Sequence, residues 1–147
     1  MATETYDRIA LATEQLNTAL TLFLDHQSYP SSITLAGAAE EIFGNELTVR
    51  GLQSTLESSF ASMAEFHRML HRTELDRKTF FSKENLARNA LKHLQKDKGP
   101  TITIDLEESA CWMLVRAIQN SKKLDIEVQR IQDFDNWFYE NIVGVQV

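Results

Sequence analysis

Four polar side chains within the segment Glu84–Leu94, ENLARNALKHL, are of types that bind phosphate and move protons. Arg88 carries a permanent positive charge in a planar fork that matches phosphate oxygens. His93 has an imidazole whose unperturbed pKa of about 6.5 lets it accept or donate a proton near neutral pH. Asn89 precedes His93 by one helical turn, and Lys92 adds a second cation. Together these residues predict a site for an anionic substrate that exchanges a proton.

A single helix through this segment would turn its polar residues away from the core. At about 100° per residue, the expected buried side holds the apolar residues, namely Leu86, Ala87, Ala90, Leu91 and Leu94. On that helix Arg88 points about 140° away from His93, so the two side chains do not converge at one reacting centre unless the long Arg88 side chain reaches around the helix. A two-fold axis between two copies would bring them together, because an isologous interface repeats every group. The sequence therefore predicts a homodimer with a composite site.

The six residues RNALKH, Arg88 to His93, resemble the R-N-x-x-x-H form of the motif of the HEPN superfamily of helical-bundle proteins. Two flanking segments, SSITLAGAAEEIFG and DLEESACWMLVRAIQN, look like helices of small bacterial proteins with the same core motif, so the resemblance covers roughly residues 5–123. It implies a HEPN-like, metal-independent endoribonuclease, such as the toxin of a defence system. RNA itself supplies the nucleophile, its 2′-OH.

The resemblance also implies a role for each residue of the motif. His93 would take the hydroxyl proton or donate to the leaving oxygen, and Arg88 would stabilise charge developing on the phosphoryl oxygens. Asn89 would orient the imidazole, while Lys92 would contact a phosphate. The expected products carry a 2′,3′-cyclic phosphate. The expected partners are a second copy, RNA and an antitoxin or other protein.

Two other interpretations of Arg88 and His93 stay open. Many HEPN domains are catalytically silent and serve as dimeric binding modules for a protein or nucleotide partner, and the motif does not separate the two kinds. The residues could also form an ordinary solvated or dimer-contact face.

Some HEPN toxins carry, two residues after the histidine, a tyrosine that a partner nucleotidyltransferase modifies. Gln95 stands at that position, so we do not expect this route of neutralisation.

Other candidate sites are weaker. Glu40 and Glu41 could orient Arg88 from the second helix, although exposed charges near a helix end are the alternative interpretation. His67 and His71 have the spacing of a metal pair, but the glutamate of an H-E-x-x-H motif is absent and His67 falls on a predicted apolar stripe. Neither an E-x-x-H pattern nor a glycine-rich phosphate loop is present. We therefore expect no metal and no cofactor.

Charge and composition limit the class of protein. The chain of 147 residues has a net charge of −6, yet residues 67–98 hold nine Lys or Arg against four acidic residues, which is where an anionic partner would bind. The single cysteine, Cys111, excludes an intrachain disulfide, indicates a reducing compartment and should be buried. No signal-peptide pattern is visible, and the longest apolar runs are too short to cross a bilayer. We expect a cytoplasmic protein without a membrane segment.

The apolar spacing predicts one domain, residues 1–147, built as an antiparallel all-α bundle of five to six helices. Pro30 should end the first helix, Ser31 or Ser32 should cap the second, and Gly44 should close the second. We expect a capping box at Asp105 and Glu108. The predicted helices are about Thr3–Asp25, Ser32–Gly44, Leu52–Arg72, Lys83–Gln95 (capped by Ser82), Asp105–Lys123 and Ile126–Tyr139. The predicted buried stripe of the third helix is Leu52, Leu56, Phe60, Met63, His67 and Leu70.

Overall fold

The computed structural model of the protein describes residues 1–94 and 98–145, and within these ranges the chain is helical and has no strand, as predicted. Seven α-helices replace the five or six that were expected, and a short π-helical segment follows them. Their bounds are α1 Arg8–Leu24, α2 Tyr29–Val49, α3 Thr55–His71, α4 Arg77–Glu84, α5 Leu86–Lys92, α6 Leu106–Lys123, α7 Ile131–Phe138 and the π-helical segment Tyr139–Val143.

The core lies where α2 packs between α1 and α6. Apolar side chains at three- and four-residue steps face it from each helix, because that spacing keeps them on one side of a helix. Two polar side chains link the helices inside this core. Ser32 donates from its hydroxyl to the carbonyl oxygen of Ala19 at 2.9 Å, and the Asn120 amide donates to the carbonyl oxygen of Glu40 at 3.1 Å. Both buried groups therefore have hydrogen-bond partners, as buried polar groups require.

Helix α6 begins where its capping sequence predicts. The Asp105 carboxylate accepts a hydrogen bond from the backbone N–H of Glu108 at 2.9 Å, and the helix runs from Leu106 to Lys123. Lysines at the last two positions complement the negative end of the helix dipole. These signals act within one or two turns, so the prediction from sequence is confirmed here.

The start and end predicted for α2 are wrong. Pro30 lies in the first turn of α2, where its missing N–H costs no intrahelical hydrogen bond, and Ser28 occupies the N-cap position. Ser32 is a buried residue of the helix rather than its cap. Gly44 does not end the helix, which continues to Val49. A Cβ on Gly44 would lie 3.4 Å from the Cβ of Ser54, so this glycine lets the start of α3 approach closely.

Other boundaries also differ from those predicted. Helix α1 begins at Arg8 because the Asp7 carboxylate accepts from the N–H of Ile9, later than the predicted Thr3. Helix α3 begins at Thr55, capped by Ser54, rather than at Leu52. The last helix begins after Arg130, whose φ of 63° is left-handed and interrupts the helix that was expected from residue 126.

Three of the six residues in the apolar stripe predicted for α3 are exposed. Of its six members only Leu56 is buried, and beyond Glu57 the helix contains no buried residue. Helix α3 projects from the core there, and Phe60, itself a member of the stripe, packs on α4, where its ring lies 5.5 Å from the Phe80 ring. Arg77 ties the two helices together through an ion pair with Glu57. The stripe is wrong as a core prediction, because Phe60 packs on α4 and not on the core, and the described residues leave Leu52, Met63 and Leu70 exposed.

Cys111 is buried in α6 with none of its surface exposed, as its apolar neighbours predict. Burial, with a smaller effect of Glu107 and Glu108, raises the pKa of its thiol to about 12. Because the thiolate is the reactive form, we expect a disulfide reagent to modify the native protein at least about 100-fold more slowly than the urea-unfolded chain. Absorbance of the released thiol group measures both rates, and equal rates would contradict this burial.

Candidate functional site

The segment that carries the motif folds as two short helices, α4 and α5, and not as the one helix predicted from Lys83. The break falls at Asn85, where Arg116 of α6 donates to the Glu84 carbonyl oxygen at 3.0 Å and to the Asn85 side-chain oxygen at 2.9 Å. Asp76, rather than Ser82, caps α4. Helix α5 ends at Lys92, earlier than the predicted end near Gln95, and Gln95 itself lies outside the described residues.

Arg88 faces the interior of the molecule, which contradicts its predicted place on the open side of the helix. Its side chain is only 14% exposed, and its Nη1 atom lies 3.5 Å from Glu40 Oε2 and 3.4 Å from Glu41 Oε2. The side expected to be buried is open instead: Leu86, Leu91 and Leu94 are 49%, 37% and 75% exposed. Of the predicted buried residues, Ala87 does pack against the core, so α5 is rotated toward Arg88 relative to the orientation that hydrophobic periodicity predicts.

Gly37 of α2 explains how Arg88 can lie there. A Cβ on Gly37 would come within 2.6 Å of the Arg88 Cδ and 2.9 Å of its Cγ. The missing side chain leaves the space that the aliphatic stem of the arginine occupies. Helix α2 thus offers both a gap for the stem and two carboxylates for the charge.

Glu40 stands at the centre of a buried charged cluster. The residue is 4% exposed, and its Oε1 accepts from Arg116 Nη2 at 2.9 Å while its Oε2 faces Arg88. The alternative interpretation of Glu40 as an exposed charge near a helix end is therefore wrong. Glu41, on the next position of α2, is 52% exposed in its side chain. The negative charge of this buried carboxylate is offset by the two guanidinium groups. A buried charge without such partners would be far too costly.

His93 lies on another side of α5 and is exposed. It ends the helix with an extended backbone, φ −135° and ψ 117°. Together with Asn89 it lines a groove of about 280 Å³, which Ser82 and the segment 98–102 complete. Lys98 of that segment brings a cation to the same groove. Lys92 is exposed but is not part of the lining.

The structure thus brings some of the predicted site residues together and separates others. Asn89 shares the groove with His93, and both glutamates lie within 3.5 Å of Arg88. Arg88 faces α2, whereas His93 faces the segment 98–102, so one chain does not direct both groups at one point. This leaves the composite site that was expected between two copies as a prediction.

Arg116 and Asn85 are members of the cluster that the sequence interpretation missed. A signal for Arg116 exists, because it shares the apolar side of α6 with Met113, Ala117 and Asn120, all buried. A charged residue on such a side is rarely buried without a partner. A buried partner of opposite charge on a neighbouring helix could therefore have been sought.

His67 and His71 of α3 do not form a metal site with further ligands among the described residues. The His67 and His71 rings lie 4.7 Å apart, and His67 Nε2 is 3.0 Å from the Thr73 hydroxyl oxygen. In the part of the chain that is described, no group of three or more His, Cys, Asp or Glu could hold a metal ion. Across the same residues, no helix combines the length and the apolar character needed to cross a bilayer.

Comparison with known proteins identifies no relative of this chain. No protein-family model, no curated protein and no solved structure matches the chain significantly. The HEPN resemblance therefore stays a prediction that is based on the motif and its flanking segments.

Proposed function

We propose that this chain is a metal-independent endoribonuclease of HEPN type that acts as a homodimer, with His93 and Arg88 as its reacting groups. The observation that carries the proposal is the groove that exposed His93 lines together with Asn89 and Lys98. Its volume of about 280 Å³ lies near the lower end of ligand sites, which suits one nucleotide better than a large ligand. The surrounding excess of basic residues would attract a polyanion.

In this mechanism the 2′-OH of the RNA attacks the adjacent phosphorus, the O2′–P bond forms and the P–O5′ bond breaks. A neutral His93 takes the hydroxyl proton, and the protonated His93 of the second copy donates a proton to the leaving 5′-oxygen. The products are a 2′,3′-cyclic phosphate and a 5′-hydroxyl. Asn89 would orient the imidazole from within the same groove, and Lys92 would add a phosphate contact.

Arg88 would contribute through its position rather than through mobility. Glu40 and Glu41 hold its guanidinium against α2, and an electrostatic group that is fixed in advance pays no reorganisation cost when charge develops. The exposed edge of the guanidinium would contact the phosphate of RNA bound in the groove of the second copy. The toxin of a defence system, neutralised by an antitoxin protein, is the role that such an activity would serve.

A second candidate is a catalytically silent dimeric module that binds a protein or nucleotide partner. One observation favours it: the Arg88 side chain is only 14% exposed, and two carboxylates close to it offset its charge. Under this alternative Arg88 only attaches α5 to α2, while the groove beside His93 binds a ligand without cleaving it.

Cleavage of labelled RNA in the presence of EDTA tests the two candidates. We expect the wild-type protein to cleave, and His93→Gln to lower the rate at least about 100-fold, since a general acid–base group contributes on that scale. His26→Gln is the matched control, because His26 is also exposed but lies two residues beyond the end of α1 and does not line the groove. Mass spectrometry should find 2′,3′-cyclic phosphate ends.

Other outcomes have distinct meanings. Equal cleavage by the His93→Gln and wild-type proteins would eliminate the catalytic proposal. If the wild-type protein binds a labelled oligonucleotide in a His93-dependent way but never cleaves it, the silent binding module is the function. The thermal midpoint of Arg88→Ala should be measured beside its activity, because loss of folding would otherwise imitate loss of catalysis.

A further inference from the structure

A second groove, of about 410 Å³, lies between α6 and the two short helices α4 and α5. Its volume falls within the usual range of sites that bind small molecules. Leu86 lines both this second groove and the first groove, which is the one beside His93. One bound ligand can therefore extend across Leu86 from one groove into the other. The polar and aromatic residues that characterise the second groove are Lys83, Glu84, Asp105, Glu108, Trp112 and Arg116.

The two grooves differ in charge. The described residues that line the first groove include a cation, Lys98, and no acidic residue. Three acidic and two basic residues line the second groove, and one of the basic residues, Arg116, is already paired with Glu40. A phosphate is therefore attracted to the first groove and repelled from the second. The second groove suits a part of the ligand that carries no negative charge.

Trp112 gives the second groove an aromatic wall. The residue is 47% exposed, and its ring makes an edge contact with the Phe138 ring, whose centroid lies 5.8 Å away. Exposed aromatic rings of this kind are surfaces on which nucleobases stack. Glu108 precedes Trp112 by one helical turn on the same side of α6, and both line the groove. A base stacked on the indole would therefore lie beside a carboxylate.

The Glu108 carboxylate accepts no hydrogen bond from the described chain, although the Glu108 backbone N–H donates to Asp105. The preceding residue, Glu107, instead accepts from the Tyr29 hydroxyl at 2.6 Å and does not line the groove. A carboxylate has two acceptor oxygens and so matches two neighbouring N–H groups. Among the four RNA bases, guanine presents such a pair on one edge, at N1 and at the N2 amino group. The carboxylate therefore favours guanine over the other bases.

Arg116 contributes a buried donor to the same groove. Its side chain is 9% exposed, and its two terminal nitrogens donate to Glu40 and to the break between α4 and α5. Its Nε, however, has no acceptor among the described residues, and buried donors seldom stay unpaired. Guanine offers acceptors at O6 and N7. A quaternary ammonium ion, which an acidic aromatic groove would also attract, has no acceptor.

We propose that the second groove is a guanine-binding site. The base stacks on Trp112, its N1–H and N2–H groups donate to Glu108, and O6 or N7 faces Arg116. The site is inferred from the residues that line it, whereas the assignment of the guanine to an RNA, next to the bond at His93, rests on the proposed function. In that case the second groove selects the nucleotide at which the RNA is cut.

NMR titration with guanosine 5′-monophosphate, from roughly 0.05 to 5 mM, tests the proposal. The chain has two indole N–H signals, from Trp112 and from Trp137, which packs against the core, and a Trp112→Phe variant identifies them. We expect guanosine monophosphate to shift the Trp112 signal and to leave the Trp137 signal in place. It should also bind at least about 10-fold more tightly than the monophosphates of adenosine, cytidine and uridine, which carry the same phosphate.

Two glutamate variants test the role of the carboxylate. Glu108→Gln should weaken binding of guanosine monophosphate at least about 10-fold, because an amide offers one acceptor oxygen in place of two. Glu107→Gln is the matched control on the adjacent position and should bind like the wild type. Circular dichroism should show equal helix content in all three proteins, since glutamine also suits the third position of a capping box.

Four results would overturn the proposal. They are an unshifted Trp112 signal, equal binding of adenosine monophosphate, an unchanged guanine preference in Glu108→Gln, and equal loss of binding in both glutamate variants. If tetramethylammonium shifts the Trp112 signal and guanosine monophosphate does not, the groove binds cations instead. A monophosphate contains no bond between nucleotides, so the titration separates this proposal from the ribonuclease proposal. A chain that never cleaves RNA can still bind guanine, and a chain that cleaves RNA can fail to.

Discussion

Replacing Glu40 with glutamine is expected to lower the free energy of unfolding by about 3–5 kcal/mol, the scale for removing one partner of a buried ion pair. Glutamine keeps the shape of the side chain and an oxygen that can accept from Arg116, but it removes the negative charge. Arg116, whose side chain is 9% exposed, would then lie buried without its carboxylate. Urea unfolding followed by circular dichroism measures the change.

Glu41→Gln is the matched control for this prediction. Glu41 lies beside Glu40 in sequence and at a similar distance from Arg88, yet its side chain is 52% exposed. Exposed ion pairs contribute about 1 kcal/mol or less, so the control should change stability little. If the two substitutions lower the free energy of unfolding equally, burial of Glu40 does not determine how much the cluster contributes to stability.

Gly37→Ala is expected to destabilise the protein by about 1–3 kcal/mol more than Gly44→Ala does. Both glycines are in α2, so alanine brings the same gain in helix propensity at either position. They differ in space: a Cβ at Gly37 would lie 2.6 Å from the Arg88 stem, whereas at Gly44 the nearest atom is 3.4 Å away. The arginine stem must move away from α2, and its contacts with the two glutamates would lengthen. Thermal or urea unfolding of both variants measures the difference.

A double-mutant cycle with Arg88→Ala separates this crowding from other effects of alanine. Without the long stem, alanine at position 37 should meet no obstacle, so the two substitutions should be less destabilising together than the sum of their separate effects. If the two changes in the free energy of unfolding simply add, the close approach of Arg88 to α2 is not the reason that position 37 needs glycine.

Some features of the chain follow from the sequence alone because the interactions that determine them are local. The start of α6 needs only the Asp105 carboxylate and the N–H of Glu108, three residues away. The burial of Cys111 follows from the apolar residues around it on the same helix. The helical content similarly follows from periodicity and the scarcity of glycine and proline. For these features the prediction and the structure agree.

The site shows where local patterns cease to be sufficient. Periodicity predicted that the leucines of α5 face the core and Arg88 faces water, and the structure has the opposite arrangement. The deciding groups are Glu40 and the gap at Gly37, both on α2. The break between α4 and α5 likewise depends on Arg116, 32 residues beyond the carbonyl to which it donates.

Local sequence patterns therefore establish that this protein is helical, where α6 begins and which residues carry the motif. Which side of α5 and of α3 is covered depends instead on contacts between helices. The physical reason is that an amphipathic pattern indicates which residues would gain from burial, but burial also requires a facing surface. For Arg88 that surface is a helix with a gap and two carboxylates, whereas Met63 and Leu70 of α3 stay exposed in the described chain.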